Sequence, residues 1–363
     1  MNKSLSLYLD LIRFLAATAV FFAHVPMFIG GYFWQLGAFG HQAVVIFFLL
    51  SGFVISFVVE KKEKHLSQYI INRASRIYSV AIPAIFLAYI IYFIGLSVRP
   101  EVFSSFNGLV IPTPLTLLSA LSFTNQAWVG INVFANPPYW SLSYEVLYYI
   151  FFAIVFYLRG IKRIILAAVS LIIMGPSIIL YLPIWLLGVY CYKNSTIFSR
   201  LETWKASLGF VGSIVAIFLL SSKNAEHYIN SFAQALFGDS LFSLLLHPAQ
   251  NFLIDYLLAL CVAGNILVYP YVFSNIKDYI NSYEEKIRFL ANYTFSTYLY
   301  HFPILCLYSI YFPFDDYPVS SIFLTLIATP LTVWLLGYYT ERHKKQYRAA
   351  LIKLFKVNIK SQH

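Results

Sequence analysis

The chain has 363 residues, 60% of them hydrophobic and 11% charged, with a mean hydropathy of +0.72. A soluble domain is about half apolar and about a quarter charged, so this composition excludes a string of ordinary soluble domains and points to lipid. A net charge of +10 in a soluble protein would suggest nucleic acid; here short loops between apolar spans account for it, and no nucleic-acid partner is expected.

Apolar windows of about 20 residues suffice for a transmembrane helix. They mark ten spans, at 7–29, 41–59, 77–96, 139–158, 164–180, 181–192, 206–222, 250–272, 289–311 and 319–339. The expected fold is all-α, a polytopic integral membrane protein of about ten transmembrane helices. The sixth window is short and can form half of a re-entrant pair with the fifth. Segment 232–246 is apolar too, but Gly238-Asp239-Ser240 interrupts it, which places it outside the membrane or at its surface. The first window carries Arg13 and His24 and lacks a small-residue cleavage site, so it reads as a retained span.

The basic residues orient this scheme. With the N-terminus in the cytoplasm, Arg99 and Lys223 fall outside and Arg13 within the membrane, leaving 22 of the 25 Lys and Arg inside. This positive-inside bias requires an even span count and a cytoplasmic C-terminus. The expected division is a transmembrane domain over 1–340 and a basic cytoplasmic tail over 341–363. The largest external loop is 97–138, which is rich in proline. Cys191, Cys261 and Cys306 each stand alone in apolar surroundings, so neither a disulfide framework nor a metal site follows.

Ionisable groups inside spans are costly and are functional candidates by default. The first span holds Asp10, Arg13 and His24. His24 lies eleven positions after Arg13, which returns the helix to within about 20° of the same direction and about 16 Å further along one face. Asp10 is within i,i+3 reach of Arg13. Glu145, in Tyr139-Trp140-Ser141-Leu142-Ser143-Tyr144-Glu145, sits about two turns into a span that descends from outside, at a depth similar to that of His24. A carboxylate and an imidazole at one depth suit general-base chemistry, with a snorkelling pair and a core histidine as the bland alternatives. His301, in Tyr298-Leu299-Tyr300-His301, lies near mid-membrane, where an interhelical hydrogen bond explains it as well as function does. Ser51-Gly52 interrupts an apolar run and permits close approach of a helix or a ligand. Arg73 and Arg76 are one helical turn apart at the start of the third span. Arginine suits phosphate, and ordinary positive-inside charge is the plainer reading. Phe237-Gly238-Asp239-Ser240-Leu241 looks like a serine-esterase nucleophile block, but no Asp precedes a His by three residues to complete it.

In combination these motifs resemble the acyltransferase-3 family of bacterial membrane O-acyltransferases over nearly the whole chain. The resemblance rests on Arg13 and His24 in the first span, Phe47-Phe48-Leu49-Leu50-Ser51-Gly52-Phe53-Val54-Ile55, Arg73-Ala74-Ser75-Arg76-Ile77-Tyr78, Tyr139 to Glu145 with Trp140 inside it, and Tyr298 to His301. The chain departs at Phe14 and Ser79, where the family often has Gly and Pro. The resemblance implies transfer of an acyl group, usually acetyl from acetyl-CoA, to a hydroxyl of a surface glycan or its lipid-linked precursor, with Arg13 and His24 essential. On that basis His24 and Glu145 are the expected catalytic residues, and Arg13, Arg73 and Arg76 the expected contacts to the donor's phosphates. Asp10, Ser51, Gly52, Trp140 and His301 support them, and no metal takes part. A secondary transporter or lipid-linked glycan flippase is the rival reading. It favours repeats and matching helix breaks, neither of which the sequence displays. A non-catalytic glycan-synthesis subunit is a third, and it would make His24 dispensable.

Overall fold

The computed structural model describes residues 2–104, 113–238 and 249–354. Among the described residues every regular element is a helix, and eight helices are long and apolar enough to cross a membrane. The main elements are α1 (Lys3–His24), α2 (Gly40–Lys61), α3 (Leu66–Val98), α4 (Thr113–Leu121), α5 (Trp140–Tyr157), α6 (Gly160–Lys193), α7 (Thr203–Leu220), α8 (Lys223–Phe237), α9 (Phe252–Val272), α10 (Glu284–Ala291), α11 (Thr294–Tyr311), α12 (Pro318–Phe323), α13 (Thr329–Thr340) and α14 (Lys344–Leu354). A π-helical turn at Leu324–Ala328 links α12 to α13. The expected fifth and sixth spans are two limbs of α6. They meet at Gly175, whose φ of 73° is open to glycine and is followed by Pro176. The expected ninth span is α11, which its Ser, Thr, Tyr and His residues make more polar than the others.

The chain divides into two compact units. Unit 1 comprises Met1–Val20, Ala38–Glu60 and Gly175–Ala291. Here α9 packs along α7, and Asn265 donates to the Ser213 hydroxyl at 2.8 Å while accepting from the Tyr8 hydroxyl. Tyr8 stacks on Tyr269 at 3.8 Å between centroids. The second limb of α6 presses on α2 so closely that a Cβ at Gly52 would overlap the carbonyl oxygen of Trp185, and one at Gly188 that of Leu49. Trp185 Nε1 donates to Ser51 Oγ at 3.2 Å. The Ser51-Gly52 pair is therefore occupied by a helix contact, because only small residues let two backbones meet.

Unit 2 comprises Phe21–Gly37, Lys61–Met174 and Asn292–His363. Its axis is α3, a 33-residue helix that packs against α11 and α14. The Tyr300 hydroxyl donates to the Val80 carbonyl at 3.3 Å. Ser296 donates to the buried Glu341 through both its amide and its hydroxyl. Of the segment expected as an external loop, 97–138, the described part from Thr113 onward packs back along α3. The Tyr78 hydroxyl donates to the Leu121 carbonyl at 3.0 Å, and Tyr78 lies about 30 Å before the end of α3 at 1.5 Å per residue. The Tyr139 hydroxyl donates to the Ala120 carbonyl, and Ser143 to Asn125 Oδ1. Such side-chain bonds let non-helical backbone survive at depth.

Candidate active site

In unit 2, His24 ends α1 and His301 lies in the middle of α11. The two rings are in hydrogen-bond contact, with His301 Nε2 3.1 Å from His24 Nδ1. His301 is fully buried, whereas His24 is half-buried. The geometry dictates the proton positions. The Thr297 carbonyl, 2.8 Å from His301 Nδ1, can only accept, so that nitrogen carries the hydrogen. A neutral His301 then has its lone pair on Nε2 and accepts from His24 Nδ1–H. This places the lone pair of a neutral His24 on its Nε2, which is the arrangement of a general base with an orienting partner. Apolar rings enclose the pair. Phe302 meets His24 edge-on at 5.1 Å, and Phe21 meets His301 at 6.3 Å. Phe21, Val25, Ile29 and Leu305 form the buried cluster beneath them.

The expected partner of His24 was a carboxylate, Glu145. Glu145 accepts a hydrogen bond from Tyr149, one turn further along α5. Tyr149 also lies within electrostatic range of Arg76 and Arg73. On the same face, Ser141 bonds the Tyr298 hydroxyl at 2.6 Å, and Tyr298 donates to the Pro138 carbonyl. Tyr298 is three residues before His301, and Asn136 secures the same stretch by donating to the Leu299 carbonyl at 3.0 Å. Trp140 packs edge-on against Tyr144. The segment from Asn136 to Glu145 thus serves as the wall that holds α11 in register.

Arg73 and Arg76 belong to a basic cluster at the start of α3. Arg73 Nη2 donates to Glu63 at 3.0 Å, and Asn72 donates to the same Glu63 oxygen at 2.8 Å. Arg348, from the expected tail, donates to Asn72 at 2.8 Å. Lys344 lies within electrostatic range of both Arg73 and Arg76. The tail is in this region a helix bound to α3. Arg13 lies in unit 1, bonded to Asp10 at 3.3 Å, and Asp10 also accepts from Arg288 at 3.0 Å. Lys3 and Arg288 pair with Glu284, and the Lys3 hydrogen bond foremost holds that carboxyl below its ordinary range.

Sequence reading missed several of these residues. Glu63 looks like one more charge in a Lys-rich turn, and Lys344 and Arg348 look like tail charge. Unit 1 also holds an unexpected constellation. His41 Nε2 is 2.8 Å from Asp255 Oδ2, and the Tyr181 hydroxyl donates to the same oxygen at 2.5 Å. No spacing in the sequence joins positions 41, 181 and 255. Asp239 and Ser240 of the esterase-like block lie outside the described residues.

These features define a polytopic α-helical membrane protein with a contacting pair of imidazoles, one of them buried. The family model described as an acyltransferase domain, acyltransferase 3, matches residues 6–341, and the chain belongs to that family. It is a membrane acyltransferase of that family. No curated protein and no solved structure matches it.

Proposed function

We propose that this chain moves an acetyl group from cytoplasmic acetyl-CoA to a hydroxyl of a cell-surface polysaccharide, or of its lipid-linked precursor, on the outer side of the inner membrane. Both termini are then cytoplasmic. The observation that carries the reading is the His24–His301 contact, with His301 fixed by Thr297. It supports a base at His24 Nε2. His24 takes the proton of the acceptor hydroxyl as that oxygen bonds to the thioester carbonyl carbon. The C–S bond then breaks, and the departing thiolate takes the proton from the imidazolium. His301 accepts the His24 Nδ1–H throughout, and so stabilises the charged ring.

The cluster of Arg73, Arg76, Lys344 and Arg348 supports donor binding, since guanidinium and ammonium groups suit phosphates. Arg13, held by Asp10 within unit 1, is essential on the family resemblance. Glu145 and Trp140 act on the acceptor side through the wall they form with Tyr298 and Tyr149. Glycan mass spectrometry on cells with and without the gene tests the proposal, because it reports acyl mass and position together. Loss of a single acetyl substituent is expected on deletion. An unchanged acylation pattern with altered glycan export would favour the flippase.

A further inference from the structure

The chemistry above uses Arg73 and Tyr149 but gives no occupant to the space they line. A cavity of about 400 Å³ lies in unit 2 between the first half of α3 and the second half of α5. Its wall includes Ile70, Ala74, Ile77, Val146, Ile150 and Ala153, and among the described residues Arg73 is the one charged side chain lining it. Ile70 and Ile150 are about half exposed, at 51% and 47%, so the cavity opens sideways. In a membrane-spanning helix that opening faces lipid.

Two polar atoms at the Arg73 end are buried without a hydrogen-bond partner, namely Nε of Arg73 and Oε2 of Glu63. Buried donors left unmade are rare and call for a missing partner. A group that satisfies Nε must be an acceptor. The local charge favours an anion, because Arg73, Arg76, Lys344 and Arg348 outnumber Glu63, Glu145 and Glu341 around this end of the cavity. The wall, by contrast, rewards a hydrocarbon chain. An acceptor head with negative charge and an apolar tail, entering from the side, is a membrane lipid.

We propose that this cavity binds an anionic phospholipid, with one acyl tail between α3 and α5 and the phosphate on Arg73. Lipid binding does not depend on the acyl-transfer reading. Only its consequence does: if Arg73 also meets the donor's phosphates, lipid and donor compete for it, and the anionic lipid content of the leaflet sets the availability of the donor site.

Native mass spectrometry of the purified full chain decides this, with dioleoyl phosphatidylglycerol and dioleoyl phosphatidylcholine as probes and CoA titrated in parallel by calorimetry. The wild type should prefer phosphatidylglycerol by about tenfold, the value of one charge-assisted hydrogen bond. Arg73→Gln should remove that preference. Ala153→Phe, which fills the wall, should weaken phosphatidylglycerol by a similar factor and leave CoA affinity as it was. Ile150→Trp, at the lipid-facing rim, serves the same end should Ala153→Phe fail to fold. Equal binding of the two lipids by the wild type overturns the proposal. Weakened CoA binding with undisturbed phosphatidylglycerol binding in Ala153→Phe also overturns it, because the cavity would then belong to the nucleotide donor. If Arg73→Gln loses CoA but keeps its lipid preference, the lipid site is refuted and the donor reading stands.

Discussion

His24 and His301, 277 residues apart, share a hydrogen bond of 3.1 Å, and the carbonyl of Thr297 determines its direction. In the proposed mechanism the partly exposed imidazole is thereby the base and the buried one its holder.

That order predicts different results at the two positions. His24→Ala and His24→Asn should both lose acyl transfer by about 10²–10⁴-fold, since neither accepts a proton at neutral pH. His301→Phe should also be deeply impaired. His301→Gln should retain a larger share, because its amide oxygen can accept from His24 Nδ1–H. Acyl incorporation into glycan, normalised to membrane protein level and to monodisperse elution in detergent, is the measurement. Substantial transfer by His24→Asn would remove the base from the mechanism.

The basic cluster predicts donor affinity. Arg73→Ala, Arg76→Ala and Arg348→Ala should each weaken CoA by about tenfold, as expected for loss of a charge-assisted hydrogen bond or of the residue that secures it. Lysine at Arg73 or Arg76 should rescue only partly, since an ammonium lacks the planar fork. Calorimetric titration checks this, and an unaltered Kd in the Arg73→Ala, Arg76→Ala double variant would move the donor site elsewhere.

Gly52 sits where α2 meets the backbone of α6. Gly52→Val should force the helices apart and cost about 1–3 kcal/mol, visible as a lower melting temperature in detergent. An unchanged melting temperature would mean that the two helices do not touch there.

Asp255 is 2% exposed and accepts from both His41 and Tyr181. His41→Ala should cost about 1–3 kcal/mol, because it removes a partner from a buried carboxylate. Tyr181→Phe should act in the same direction. Thermal unfolding of the two single variants and the double variant is the check, and additive losses would show that the two donors do not share the carboxylate.

Orientation is tested with cysteines at two exposed, charged positions, Glu101→Cys and Lys345→Cys. In intact cells an impermeant maleimide should label the first and spare the second, following the distribution of basic residues. The reverse pattern would invert the topology and place the donor cluster on the outer face.

The helices and the family were legible in the sequence because lipid is a uniform solvent. It demands long apolar runs with every backbone group paired within the helix, and that demand is local. Arg13, His24, Glu145 and His301 stood out for the same reason, as ionisable groups where charge is costly, and Arg73 and Arg76 by their one-turn spacing at the inner end of a span. What each of them touches depends on how helices meet, and neither spacing nor depth encodes that. Equal depth suggested Glu145 for His24; that His301 also contacts His24 depends on how α11 packs, which depth does not encode. The connection 97–138 is read as external from the distribution of basic residues, and only side-chain bonds such as Tyr78 to Leu121 show that its described part packs within unit 2. Ser51-Gly52 was open to a helix or a ligand, and the tertiary structure chose the helix, since the carbonyl of Trp185 takes up the space that the missing side chain leaves.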